Sequence, residues 1–274
     1  MSKTRLLLLT HEMNPFLQLT EISDFLGKLP ISLQEKGYEI RILMPKFGCI
    51  NERRNRLHEV IRLSGMNIVV DENDNPLIIK VASLPSARLQ VYFLDNEDYF
   101  QRKFVFRDSN EKFYDDNDER AIFFCKGAIE TVKKLGWSPD VVHCHDWMTS
   151  FVPLYLKTTY KDDPVFKNAK VVYSVYKNGF EENISERFAA KTYGAGVSQV
   201  HLDSFKEKNT CSGLHNLAIH YSDAVVKNSE DIHADVSDFI ITAGKHAFDY
   251  EHAKDINNFS SIYEEILSEN LITI

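Results

Sequence analysis

The chain has 274 residues, 43% hydrophobic and 26% charged, the composition of a soluble globular protein with room for one Rossmann-like unit and too little for a complete two-domain enzyme. Its 40 acidic residues outnumber 32 basic ones, giving a formal charge of −8 with no Lys/Arg-rich run, which argues against nucleic acid as a partner. The longest apolar run near the start, Leu6–Leu9, falls far short of the roughly 20 residues of a membrane span and of a signal peptide's apolar region, so the expected setting is the cytoplasm without a membrane partner.

In chain order, Arg5–Leu9 reads as a buried parallel strand followed by a turn and a helix carrying Ile22, Phe25, Leu26, Leu29 and Leu33 on one face. Pro30 is expected to bend that helix and Gly37 to stop it, with Glu39–Leu43 opening a second strand that ends at Met44-Pro45. Residues 52–110 read as a β-rich insertion with strands at Ile68–Val70, Leu77–Ala82 and Leu89–Leu94, and a turn over residues 71–76. Helical period returns from Asn117 through Leu135, closed by Gly136, and Asp140–Cys144 is the next strand.

A helix over 149–157, a strand at Lys170–Val175 and a weakly patterned stretch to Asn209 follow. The remainder predicts a helix around Leu214–Tyr221, a strand at Ala224–Lys227, a helix capped by Ser229 and a last helix over 255–268. Strands alternating with helices imply an α/β fold, a doubly wound parallel sheet, in which ligands collect beyond the carboxyl ends of the strands. No repeat or Pro/Gly/Ser-rich linker marks a second domain.

The most distinctive segment is His143-Cys144-His145-Asp146-Trp147-Met148. His143 and His145 share a strand face with Asp146 next, which suits a zinc or iron site of a hydrolase if a further ligand arrives from elsewhere. The alternative is hydrogen bonding across the strand ends with Trp147 packed under the next helix. The acids of Asp115–Glu119 either cap a helix and complement its dipole, or offer Asp116 as a sugar-binding carboxylate. Phe104 and Phe106 among basic neighbours suggest either a base-stacking surface or, in an acidic chain, a half-buried strand or loop. Cys49, Cys125, Cys144 and Cys211 lie far apart, without a C-x-x-C pair, and are expected as free thiols; no metal or other cofactor is expected.

Taken together, several separated motifs resemble the N-terminal catalytic domain of bacterial glycogen synthases and plant starch synthases, glycosyltransferase family 5 with the two-Rossmann GT-B fold. They are Glu12-Met13-Asn14-Pro15-Phe16, Asp24 through Pro30, Met44-Pro45-Lys46-Phe47, Asn117-Asp118-Glu119-Arg120, Trp137 through Asp140, His143 through Trp147, and Tyr221 through Val225. The resemblance covers almost all of residues 1–274 and implies the N-terminal half of a GT-B enzyme, without the second, nucleotide-binding half. Such enzymes transfer glucose from ADP-glucose or UDP-glucose to the end of an α-1,4-glucan with retention.

By resemblance Asp116 and His145 are the catalytic candidates, and Asn117, Asp146, Trp147, Tyr176 and Gly179 the substrate-binding ones. The family's Lys-x-Gly-Gly-Leu diphosphate loop stands here as Gln18-Leu19-Thr20-Glu21-Ile22. That exchange removes the lysine, blocks close backbone approach and adds a negative charge at Glu21. Met148 replaces the family's histidine after Asp-Trp. The expected partners are an α-1,4-glucan acceptor and either a separate C-terminal half or a full-length synthase. A glucosyltransferase component inactive by itself and a non-catalytic glucan-binding module are both consistent with these changes.

Overall fold

The computed structural model describes residues 3–85, 87–194 and 196–268. Its first half runs β1 (Arg5–Leu9), α1 (Glu21–Glu35), β2 (Glu39–Pro45), α2 (Glu52–Asn55), β3 (His58–Glu59), β4 (Met66–Val70), β5 (Asn73–Leu84), β6 (Leu89–Asp95), α3 (Glu97–Phe100) and α4 (Asn117–Leu135). The second half runs β7 (Val141–His145), α5 (Phe151–Lys157), β8 (Lys170–Val175), α6 (Phe188–Thr192), α7 (Cys211–Tyr221), β9 (Ala224–Lys227), α8 (Ala234–Thr242), β10 (His246–Phe248), α9 (Tyr250–Ala253) and α10 (Phe259–Ser268).

These strands form one sheet in the order β10-β9-β8-β7-β1-β2-β6-β5-β3, with β4 paired to β5. From β10 to β6 all neighbours are parallel, and β1 sits between β2 and β7, through Leu6↔Ile40 on one side and Leu6↔Val141 on the other. The central strands need no polar alternation because helices cover both faces: Leu6, Leu7, Leu8 and Leu9 are all buried. Right-handed crossovers put α1 and α4 on opposite faces, since the chain leaves β1 toward β2 but returns from β6 past β1 to β7. The point where strand order reverses, between β1 and β7, opens a crevice at the carboxyl edge.

The β-rich segment 52–110 joins the main sheet: β6 is the parallel neighbour of β2, and β5 lies antiparallel on β6. The expected turn over 71–76 is only two residues long. Asp71 and Glu72 take φ of 44° and 69°, a tight hairpin turn, and Asn73 already pairs with Val70. Ser229 caps no helix; α8 starts at Ala234 with His233 before it, and the Ser229 hydroxyl instead accepts from the Lys177 backbone at 3.0 Å. Helix α1 continues through Pro30, and β10 was not foreseen from its three residues. Gly136 does end α4 in the left-handed conformation, φ 62°.

Candidate functional site

The carboxyl ends of β1, β7, β8 and β9 converge on two adjoining clefts that share Asn178 and Gly179 as walls. The first, about 470 Å³, lies between the loop after β1, the turn after β7 and the segment 103–108, which is a bent loop with one isolated bridge, Arg107 to Phe113, and not a strand. Trp147 forms its floor. The indole packs on Phe106 at 4.9 Å, Phe180 at 5.1 Å and Phe113 at 6.4 Å between ring centroids, with His11 at 6.3 Å. Three residues that line it, His11, Asp146 and Asn178, each carry a buried polar atom without a hydrogen-bond partner: Nδ1, Oδ1 and Nδ2. An aromatic floor with a few unsatisfied donors and acceptors is the surface chemistry that sugar rings recognise.

The wall carrying Phe106 is held from beneath by the first turn of α4. Asn117 donates to the Phe106 carbonyl at 2.9 Å and accepts from Arg120, whose guanidinium also donates to the carbonyls of Tyr99 and Val105 at 2.7 Å each. Arg120 is fully buried among Phe47, Phe100, Phe106 and Tyr114. Burial pulls its pKa down to about 10. Asp116 stands just outside this arrangement, accepting from Arg102 through both carboxylate oxygens. It does not line the cleft.

The second cleft, about 590 Å³, is bounded by Tyr176 through Glu181 after β8 and by the start of α7. His215 occupies its floor with Nδ1 2.8 Å from the Tyr173 hydroxyl, and with Nε2 3.6 Å from both Cys211 Sγ and Asp146 Oδ1. Burial lowers the His215 pKa to about 4. Asp146 joins the two clefts. It takes φ 65° and ψ 175°, a conformation otherwise left to glycine, and burial pushes its carboxyl up to about 7. Gly179 approaches Cys211 so closely that an added Cβ would lie 2.8 Å from the sulfur.

His143 and His145 project from alternate positions of β7 toward α1 and α10, their rings 4.0 Å apart. Ser174 Oγ donates to Asn228 Oδ1 at 2.7 Å, so the 2.7 Å contact from His143 must be an Nε2–H donating to Ser174. His143 Nδ1 then accepts from the Tyr263 hydroxyl at 2.7 Å. The ring is neutral and fully satisfied, and burial pushes its pKa down to about 3. His145 shares a 2.9 Å hydrogen bond between Nδ1 and the Tyr176 hydroxyl, and burial with the neighbouring His143 holds it neutral. Asp146 turns toward His215 instead of toward this pair. Among the described residues no three His, Cys, Asp or Glu side chains are grouped to hold a metal ion, and the hydrolase reading finds no support.

At the start of α1, Thr20 is the N-cap and accepts from the Ile22 backbone at 3.2 Å. The buried Glu12 carboxylate reaches across the loop: Oε2 accepts from the backbone of Leu19 at 2.7 Å and Thr20 at 2.8 Å, and Oε1 from the Thr20 hydroxyl at 2.6 Å. Burial alone would raise its pKa, but His11 and Thr20 outweigh burial and leave it below the ordinary glutamate value. Three backbone N–H groups at this helix end are thus occupied by the chain's own side chains. Glu21 and Gln18 are exposed beside them, with Glu21 accepting from Ser229 at 3.3 Å. Met148 is fully buried, its carbonyl accepting from Cys125.

Of the residues singled out from sequence, the structure gathers His145, Asp146, Trp147, Tyr176, Gly179 and Thr20 along this edge. Phe106, noted from sequence for base stacking or a half-buried segment, packs on Trp147, and Glu12 was noted only within a family motif; His11, Asn178, His215, Phe113 and Phe180 were missed. Glu12 had a signal, an acid directly after a buried strand and a few residues ahead of an N-cap threonine. His215 had none, because only strand order brings α7 beneath Asp146.

A doubly wound sheet with aromatic clefts along its carboxyl edge is the architecture of a GT-B glycosyltransferase catalytic domain. Residues 5–248 match the starch synthase catalytic domain, and the chain belongs to that family. Glycogen synthase of Chlorobium limicola is 37% identical over 241 residues, 83% of this chain and 48% of that protein. Glycogen synthase of Chlorobium luteolum is 42% identical over 183 residues, 66% of this chain and 37% of that protein. The solved catalytic domain of starch synthase IV from Arabidopsis thaliana, bound to ADP and acarbose, superposes with a TM-score of 0.73 at 20% identity, covering 90% of this chain and 51% of that one. The chain therefore spans about half the length of the curated relatives it matches. No helix among the described residues is long and apolar enough to cross a membrane.

Proposed function

We propose that these residues form the acceptor-binding half of a cytoplasmic, glycogen- or starch-synthase-type glucosyltransferase and hold the end of an α-1,4-glucan in the cleft floored by Trp147. In this reading Asp146, Asn178 and His11 orient the sugar. His145 and Tyr176 hold the strand-end turn in place, and Asn117 and Asp116 support the wall through Phe106 and Arg102. Transfer by these residues alone is not expected, and the observation that carries this is the start of α1, where exposed Gln18 and Glu21 stand in place of the family's lysine and second glycine. Where the family needs an anion-binding loop, this chain presents the Glu21 carboxylate in the first turn of the helix. Like charges about 4 Å apart repel by about 1 kcal/mol in water and several-fold more in a partly dry cleft. In this reading the diphosphate grip on ADP-glucose or UDP-glucose comes from a GT-B C-terminal half or a full-length synthase partner.

Titration calorimetry tests the reading. Maltoheptaose is expected to bind, and Phe104→Ala at the cleft lip to weaken it about three- to tenfold through loss of one stacking face. ADP-glucose is expected to give no heat with the unaltered chain. Tight ADP-glucose binding by the unaltered chain, or no maltoheptaose binding, would sink the proposal.

A further inference from the structure

Away from the carboxyl edge, a cleft of about 260 Å³ opens between the β4–β5 hairpin and helices α4 and α5. Lys126, on α4, lines it with Val69, Tyr155, Tyr160 and Tyr193. Its ammonium donates to the Val69 carbonyl at 2.9 Å and lies 5.5 Å over the Tyr155 ring. Both contacts are themselves cleft walls, so Nζ sits at the cavity surface. Among the described residues no carboxylate lies within ion-pair distance of it. Glu130, one helical turn on, is already engaged by the Tyr160 hydroxyl at 2.6 Å and Lys133 at 3.2 Å. Three other sheltered lysines differ, Lys46 pairing with Glu52, Lys80 with Asp95 and Lys191 with Asp118, whereas Lys245 likewise rests on a carbonyl, that of Ser222, but lines none of the clefts described above.

We propose that Lys126 is an amine-acylation site whose cleft accepts a short acyl group delivered by an acyl phosphate or an acyl thioester. Only a neutral amine attacks a carbonyl, and an ammonium that has lost water without gaining an anion gives up its proton readily. Burial brings Lys126 down to about 8. The nitrogen lone pair forms a C–N bond to the acyl carbon, and the C–O bond to phosphate or the C–S bond breaks. Phosphate or thiolate leaves with the bonding pair, and the extra proton on nitrogen passes to water. The amide product keeps one N–H for the Val69 carbonyl, loses a charge that burial disfavours, and lays its acyl chain against the tyrosine rings.

The test is limited acetylation of the folded chain with acetyl phosphate, and separately with an acetyl thioester, from pH 6.5 to 9.5, followed by peptide mass spectrometry of each lysine. At pH 7.5 Lys126 is expected to react about tenfold or more faster than exposed Lys28 and Lys167, with its rate levelling above about pH 8 and its advantage lost in urea. A rate at or below that of Lys28 and Lys167 would overturn the proposal. So would an advantage that survives in urea, because it would then come from local sequence and not from the cleft.

Discussion

Lowering the pH from 6 to 5 is expected to cost the fold about 2–3 kcal/mol, read as a fall in the denaturant midpoint. Three histidines drive the loss. His143 and His215 are held down to about 3 and about 4, and His145 well below the ordinary 6.5, so all three stay neutral in the fold while the unfolded chain protonates them. Folded pKa values below the unfolded value mean stability that is present above about 6.5 and is lost as pH falls toward the folded values. Asp146 acts oppositely: raised from 3.8 to about 7, it binds a proton in the fold that the unfolded chain lacks between those values. The unfolded chain thus gains three protons to the fold's one, a difference of two, or about 2.7 kcal/mol per pH unit at full protonation. Tyr263→Phe should lower the whole curve by about 1–3 kcal/mol, because it leaves His143 Nδ1 without its donor. A flat stability profile between pH 6 and 5 would mean that the three imidazoles are hydrated in the native protein.

Arg120→Ala is expected to destabilise the chain by about 3–5 kcal/mol in denaturant titrations and to abolish maltoheptaose binding in whatever remains folded. The guanidinium has no carboxylate partner within its own cluster; it is held by the carbonyls of Tyr99 and Val105, the Asn117 side chain and four aromatic faces. Removing it strands three buried acceptors and empties the space between the rings at once. Those acceptors belong to residues 99–107 and the first turn of α4, so the wall carrying Phe106 loses its attachment to the helix. Arg120→Lys should recover little, since a single ammonium cannot span acceptors arranged for a planar fork. A loss below about 1 kcal/mol would show that water can replace the guanidinium.

Much of the frame was readable in the chain itself. The apolar run Leu6–Leu9, the stripe from Ile22 to Leu33 and the long period from Asn117 to Gly136 are local patterns, and each became the expected element. The wrong details were also local in origin. Asp71 through Pro76 carry turn-forming residues, yet cross-strand pairing with β4 claimed all but two of them. Ser229 looks like a cap, but a backbone donor from the neighbouring β8 loop captured its hydroxyl.

The amino-acid sequence by itself determined the alternation of strands and helices, the edge on which chemistry would collect, and the altered loop at Gln18 through Glu21, because each depends on residues a few positions apart. Only the tertiary structure decided what occupies that edge. Parallel pairing of β1, β7 and β8 sets Asp146 against His215 and His143 against Ser174 and Tyr263, and the fold of the loop after β1 turns Glu12 onto the backbone of Leu19 and Thr20. The physical reason is that burial and hydrogen-bond partnership belong to neighbours in space. They convert a motif of ionisable residues into neutral imidazoles, a raised aspartate and a helix end already filled by the chain's own carboxylate.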